Sequence, residues 1–265
     1  MSRLPQRIVC MSTETTEVLY LLGEQERIVG ISGFTVRPPQ ARREKKKVSA
    51  FSSAKIGEIL ALQPDLVLGF SNIQADIAAE LVRNGIAVHI FNQRSIAQIL
   101  DMIALLGAMT GKAETAEKLI AGYQQQMEDI RTQAAQYSKR PRVYFEEWDE
   151  PQICGIRWVS ELIELAGGID CFADLAKEPS AKNRIISAEE VVRRQPDIII
   201  ASWCGKKFQA KHLLQRPRWN AIPAIANDQI FEIKSADILQ PGPAALSDGL
   251  QQLRAIIARW QDKHS

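Results

Sequence analysis

The side chains with the greatest chemical capacity fall in short segments next to apolar runs. In the first half these are Ser12-Thr13 after Arg7–Met11, Ala50-Phe51-Ser52-Ser53 ahead of Ala54, and Gly69-Phe70-Ser71-Asn72 after Leu68. In the second half, Tyr144-Phe145-Glu146-Glu147-Trp148-Asp149-Glu150 is soon followed by Arg157-Trp158. Ser202-Trp203-Cys204-Gly205 follows Ile200, and Ser235-Ala236-Asp237-Ile238-Leu239-Gln240-Pro241-Gly242-Pro243 closes the series. Three of the 5 tryptophans therefore lie in these segments. A tryptophan buries roughly 150–250 Å² and still offers an N–H donor. Aromatic faces with a few polar groups suit a large, flat, mostly neutral ligand. The competing reading makes Trp148, Trp158 and Trp203 packing residues; Trp219 and Trp260 read as structural. Anionic chelates call for basic residues, whereas these segments carry Glu and Trp more than Arg, which favours a neutral or cationic ligand.

Covalent or metal chemistry finds little support. Glu146, Glu147, Asp149 and Glu150 form an acidic cluster, and hard cations want several convergent oxygens. Neighbours along a strand point to opposite faces, so at most half can converge, and a solvated loop or lobe-to-lobe ion pairing is the plainer reading. The chain has no GxSxG, Walker loop, GxGxxG or HExxH. Cys10, Cys154, Cys171 and Cys204 form no CxxC pair, and His89, His212 and His264 are scattered. Cys10 and Cys204 both follow strand-like runs, but a thiol nucleophile needs a positioned base, and no histidine has a claim to that role. His89 reads as a core or edge histidine. No catalytic residue, no metal site and no intrinsic cofactor are expected.

Short apolar runs alternate with amphipathic stretches, and these elements must position the segments above. Strands are expected at Arg7–Met11, Ile28–Ile31, Leu66–Leu68, Ala87–Phe91, Arg142–Glu146, Ile198–Ala201 and Gln229–Lys234. Helices are expected from Ser12 to Leu22 and at Ala54–Leu62, Ile73–Asn84, Ile96–Met109, Val159–Leu165, Ala188–Arg194, Lys211–Leu214 and Ala244–Trp260. Gly33–Val48, with Pro38-Pro39 and the basic run from Arg42 to Lys47, reads as a loop. Lys112–Ser138 carries Leu119, Tyr123, Met127, Ile130 and Ala134 at helical spacing, and a helix of about 27 residues spans roughly 40 Å. The halves share an echo: Glu58–Leu68 and Glu190–Ile200 each read as a helix, then Gln-Pro-Asp, then a strand. The fold class is therefore α/β, with two lobes of mainly parallel sheet. The domains are residues 1–111, a linking helix over 112–138, and residues 139–265. Ligands of such sheets bind beyond the carboxyl ends of the strands, which places a cleft where the loops of both lobes collect.

The chain has 265 residues, 46% hydrophobic and 24% charged, with 33 Lys+Arg against 31 Asp+Glu and a net charge of +2. That balance provides no broad basic field for nucleic acid. No apolar stretch approaches the ~18–20 residues that cross a bilayer. Met1–Arg7 runs into the first strand without a signal-like apolar region. A cytoplasmic location is expected on that start, and a periplasmic one if the native signal is missing from the chain. A monomer is expected.

The order and spacing of these fragments resemble the helical-backbone substrate-binding proteins for cobalamin, haem and iron–siderophore. The resemblance is carried by Arg7–Ser12 before a helix, Ile59–Leu68 around the first Gln-Pro-Asp, Glu147-Trp148, Trp158–Leu162, Ala166-Gly167-Gly168, Arg216–Ala224 and Pro241-Gly242-Pro243. The chain is most similar to the cobalamin-binding group, and Cys204-Gly205 fits a feature of that group. The resemblance implies two Rossmann-like lobes joined by one long backbone helix, with little closure around a ligand in the cleft. It implies ligand contacts at Phe51, Trp148, Trp158, Trp203 and Asp237, to which position in the loops adds Ser52, Phe70, Glu147, Arg157 and Gln240. Transport-coupled members present one glutamate on each lobe to an ABC permease. Glu189 matches the second-lobe position. Gly57 stands at the first-lobe position with Glu58 next to it, an offset of about 100° on a helix.

The expected function is non-catalytic binding of a cobalamin-like corrinoid or related metal chelate, with a cytoplasmic handling role foremost. One alternative is a periplasmic ABC-importer binding protein for cobalamin, haem or iron–siderophore. Haem calls for an axial Tyr or His, for which Tyr144 and Tyr20 are the candidates. A second alternative is a tetrapyrrole-modifying or metal-handling enzyme using Cys204 or Glu147. A third is an interaction protein whose cleft is vestigial.

Overall fold

A computed structural model describes residues 4–264. Met1–Arg3, part of the stretch read above for a signal, and Ser265 lie outside the described residues. The chain forms two compact units. The first runs to Gln93 and resumes over Ala97–Gly122; the second takes Arg94–Ile96 and the chain from Tyr123 onward.

The first unit contains β1 (Ile8–Cys10), α1 (Thr13–Leu21), β2 (Ile28–Ser32), α2 (Ala41–Glu44), β3 (Lys46–Ser49), α3 (Ile56–Ala61), β4 (Leu66–Phe70), α4 (Ala75–Arg83), β5 (Val88–Phe91) and all but the first residue of α5 (Ile96–Thr110). Its sheet has the order β3-β2-β1-β4-β5, and every pairing is parallel. The carboxyl ends of all five strands therefore share one edge. Central β1 and β4 are covered on both faces, as parallel sheets require; Ile8, Val9, Val67 and Leu68 are all 0% exposed. The stretch read as a loop, Gly33–Val48, instead contains α2 and enters β3. This strand lies at the sheet edge and only its second half is buried, so it lacks a full apolar run. Its exposed Lys46 and Lys47 are edge residues of the kind that discourage further strand pairing.

A long helix, α6 (Ala113–Ala134), has 22 residues, about 33 Å at 1.5 Å per residue. It is shorter at both ends than the periodicity predicts. Its buried stripe runs through Ala116, Ile120, Met127 and Ile130, with Ile120 rather than Leu119 turned inward. The boundary between the units falls inside it, after Gly122.

The second unit contains β6 (Arg142–Asp149), β7 (Gln152–Cys154), α7 (Arg157–Leu165), β8 (Ile169–Asp170), α8 (Ala188–Arg194), β9 (Ile198–Ala201), α9 (Ala210–Leu214), α10 (Pro223–Ala226), β10 (Ile230–Glu232), α11 (Ser235–Ile238) and α12 (Leu250–Asp262). A π-helical turn over Ala245–Gly249 precedes α12. The sheet order is β10-β9-β6-β7, with β8 also on β6; only the β6–β7 pairing is antiparallel. Strand β6 runs three residues beyond the predicted Glu146, because β7 folds back on it and pairs Trp148 with Ile153 and Asp149 with Gln152. Glu147 and Trp148 thus sit in a hairpin rather than a loop. Tyr144, Ile199, Trp203, Trp219 and Ile222 belong to the core packed on this sheet.

The repeated Gln-Pro-Asp has one structural explanation in both units. Gln63 and Gln195 turn the chain out of the preceding helix at φ 47° and 46°. Proline then blocks helix continuation. The Asp65 carboxylate accepts the backbone N–H of Arg7 at 2.9 Å, and Asp197 accepts that of Arg142 at 2.8 Å. Each motif therefore ties the start of one strand, β4 or β9, to the start of its neighbour, β1 or β6.

Candidate ligand-binding site

In the second lobe, the carboxyl end of β6 is built around Glu146. A carboxylate with no exposure costs folding energy unless it is paired and hydrogen-bonded, and Glu146 is 0% exposed. It accepts the Tyr144 hydroxyl at 2.9 Å and the Trp203 indole N–H at 2.9 Å. Arg216 completes the set with two bonds, at 2.5 and 3.1 Å. The Arg216 guanidinium also lies 4.4 Å from the centre of the Trp219 ring and donates to the Asp149 carbonyl at 3.2 Å. One buried ion pair thus joins the end of β6, the loop after β9 and the Arg216–Trp219 segment.

Two more members of the acidic cluster, Glu147 and Asp149, are paired within the same lobe, while Glu150 is exposed. Glu147 meets Arg184 at 2.6 Å, and Arg184 is 1% exposed. Asp149 meets Lys206 at 2.5 Å, with His212 at 3.6 Å. Burial alone would raise the Asp149 carboxyl, but the Lys206 ammonium outweighs it and holds the group below the usual carboxylate range. Among the described residues no cluster of three or more His, Cys, Asp or Glu is placed to hold a metal.

The three predicted site tryptophans have different fates. Trp148 is half-buried, with its N–H on the Glu150 carbonyl at 2.8 Å and its ring centre 5.6 Å from Lys206 Nζ. Trp158 is 3% exposed and its N–H is used by the Ile238 carbonyl at 2.9 Å, so it fastens α7 to α11 rather than presenting a face. Trp203 is likewise 3% exposed, but its edge forms part of the wall of a cavity of about 350 Å³. That cavity lies where the chain leaves β9 and β10, and Lys206, Lys207, Glu232 and Lys234 share its wall. The lysines were absent from the sequence reading; the available signal was a lysine in each segment leaving these two strands. Arg157 is exposed and paired with Glu161 at 2.8 Å. Asp237, half-buried on α11, accepts from Gln252 at 3.1 Å. Gln240 is half-buried with an enclosed Oε1 that accepts no hydrogen bond.

In the first lobe, Phe51 is 52% exposed on the loop after β3, beside exposed Ser52. Phe34 and Ile73, 55% and 46% exposed, leave β2 and β4 at the same edge of the sheet. Phe70, by contrast, is 7% exposed and belongs to the packing. The sequence reading missed Gln74, whose side chain is buried behind this edge. Gln74 accepts the Phe70 N–H at 2.9 Å and donates to the carbonyls of Met11 at 3.3 Å and Phe51 at 3.1 Å. It thereby ties the ends of β1 and β4 to the Phe51 loop.

Nucleophilic and axial-ligand candidates fare poorly. Burial pushes the Cys10 thiol up to about 12, and burial, then Glu147, raises that of Cys204; both disfavour the thiolate. Tyr144 is 0% exposed with its hydroxyl spent on Glu146, and the Tyr20 hydroxyl donates to Glu44 at 2.9 Å. His89 lies on edge strand β5 against Phe91, with ring centres 4.3 Å apart, and burial lowers its pKa. The two glutamates that the resemblance places at a permease also differ. Glu58 on α3 is bridged to Lys46 at 3.1 Å and Lys55 at 3.0 Å, whereas Glu189 stands exposed in the first turn of α8.

The chain is similar to the Vitamin B12-binding protein of Vibrio cholerae serotype O1, with 28% identity over 258 residues, 94% of this chain and 87% of the relative. The crystal structure of the periplasmic vitamin B12 binding protein of Vibrio cholerae matches with a TM-score of 0.77 and 25% identity, covering 97% of this chain and 98% of that one. The periplasmic heme-binding protein of Roseiflexus sp. RS-1, in apo form, shares the fold with a TM-score of 0.81 at 24% identity, over 95% and 99% of the two chains. The family model for periplasmic binding proteins matches residues 8–236, and the chain belongs to that family.

Proposed function

We propose that the chain is the solute-binding component of an ABC importer and that its solute is a cobalamin-like corrinoid. The observation that carries this reading is similarity to a vitamin B12-binding protein along 94% of the chain. Two features of the lobes support it. Exposed Phe34 and Phe51 and half-buried Trp148 lie at the carboxyl ends of their sheets and supply aromatic faces for a large, flat ligand. The two tyrosines considered as axial ligands for haem are engaged elsewhere, Tyr144 on Glu146 and Tyr20 on Glu44, which favours a corrinoid over haem bound through either of them. Membership of a family of periplasmic binding proteins supports action outside the cytoplasm, in place of the cytoplasmic role expected first. Binding without catalysis agrees with the raised thiols of Cys10 and Cys204 and the paired Glu147.

The test is titration with cyanocobalamin, read by calorimetry and tryptophan quenching, with haemin in parallel. Saturable 1:1 binding of cyanocobalamin is expected, weakened about tenfold or more by Trp148→Ala, since aromatic anchors dominate binding energy. Tighter binding of haemin, or none of cyanocobalamin, refutes the proposal.

A further inference from the structure

We infer that the second lobe carries an anion subsite, walled by Lys206, Lys207 and Lys234, which receives a phosphate-type arm of the solute. Lys206 and Lys207 follow β9, and Lys234 follows β10. These strands are parallel neighbours with Ala201 opposite Glu232, so the three side chains arrive at one cavity from adjacent strand ends. Lys206 is held in place by Asp149 at 2.5 Å, and its Nζ lies 5.1 Å from the Trp203 ring centre and 5.6 Å from that of Trp148. Asp149 itself is 6% exposed, so it fixes the ammonium while facing solvent little. Glu232 is the single carboxylate in the wall and is engaged by Lys234 at 2.5 Å. Lys207 is exposed and has no acidic partner among the described residues. Three ammoniums against Glu232 in the wall and Asp149 behind it leave the cavity with a net positive charge, carried by Lys207, contrary to the neutral or cationic ligand suggested by the sequence. At about 350 Å³ the cavity lies at the small end of ligand pockets, about 300–1,000 Å³, and suits an arm of a ligand rather than a macrocycle.

This inference rests on the corrinoid reading only for which molecule bears the arm: in cobalamin it is the phosphodiester of the nucleotide loop. Cyanocobalamin and dicyanocobinamide, a corrin without that loop, are titrated against the unmodified chain and Lys207→Gln/Lys234→Gln. Both substitutions are at exposed positions, and thermal melts confirm folding. Exposed charge pairs contribute up to about 1 kcal/mol each, so the double variant is expected to weaken cyanocobalamin about tenfold and flatten its salt dependence. Dicyanocobinamide affinity should change less than about twofold on the same reasoning. Equal loss for both corrinoids, or no loss for either, overturns the subsite. If neither corrinoid binds, the corrinoid reading fails, and inorganic pyrophosphate decides the subsite alone. A saturable shift of the Trp203 indole N–H resonance, absent in the double variant, supports it; no shift overturns it.

Discussion

Replacing Arg216 by methionine should damage the second lobe more than any surface substitution, because it strands the Glu146 carboxylate. Glu146 is 0% exposed and the Arg216 side chain 12%, so little water can take over the role of the guanidinium. Two of the four hydrogen bonds recorded at this carboxylate disappear; those from Tyr144 and Trp203 remain. Breaking a buried pair from one side costs about 3–5 kcal/mol, and the surviving donors place Arg216→Met near about 3 kcal/mol. At about 2–4 °C per kcal/mol for a lobe of this size, Tm should fall by about 10 °C. Urea unfolding followed by tryptophan fluorescence is the suitable assay, since all 5 tryptophans belong to this lobe. In Glu146→Gln/Arg216→Met the charge is gone and an amide oxygen can still accept from Trp203, so at least half of the lost stability should return. A loss below about 1 kcal/mol in the single variant would refute the burial argument. So would a double variant no more stable than Arg216→Met.

Two further outcomes follow from the first lobe. Burial raises the Glu14 carboxyl above its ordinary 4.5, so the folded chain binds a proton that the unfolded chain releases. The favourable contribution is present below about 4.5 and is lost as pH rises through the folded-state value. Glu14→Gln should therefore match the parent near pH 4 and exceed it in Tm increasingly toward pH 8; calorimetric melts showing the opposite trend would contradict this. Gln74→Leu leaves the buried Phe70 N–H without its acceptor at about 1–3 kcal/mol. Faster hydrogen exchange at the Phe70 amide, with looser ordering of the Phe51 loop, should accompany the loss, and an unchanged exchange rate would show that Gln74 does not hold that edge.

Much of the architecture was legible along the chain because its determinants are local. Central parallel strands are continuous apolar runs, so Ile8–Cys10, Leu66–Phe70 and Ile198–Ala201 announce themselves, and Gln-Pro-Asp ends a helix in both halves through backbone geometry and one short carboxylate bond. Elements stabilised by a partner strand were harder to read. Half-polar β3 is a strand because β2 lies beside it, and Glu147 and Trp148 are in a strand because β7 returns along β6. Which aromatic side chain meets solvent was decided by packing alone. Trp158 and Trp203 resemble Trp148 in sequence setting, yet the Ile238 carbonyl and the Glu146 carboxylate draw their indoles inward. The sequence by itself determined the two-lobed α/β pattern and the strand-end segments that carry the candidate site. Only the tertiary structure decided that Glu146 pairs with Arg216, 70 residues away, and that Lys206, Lys207 and Lys234 wall one cavity, because such charges meet only after parallel strands bring distant loops to a common edge.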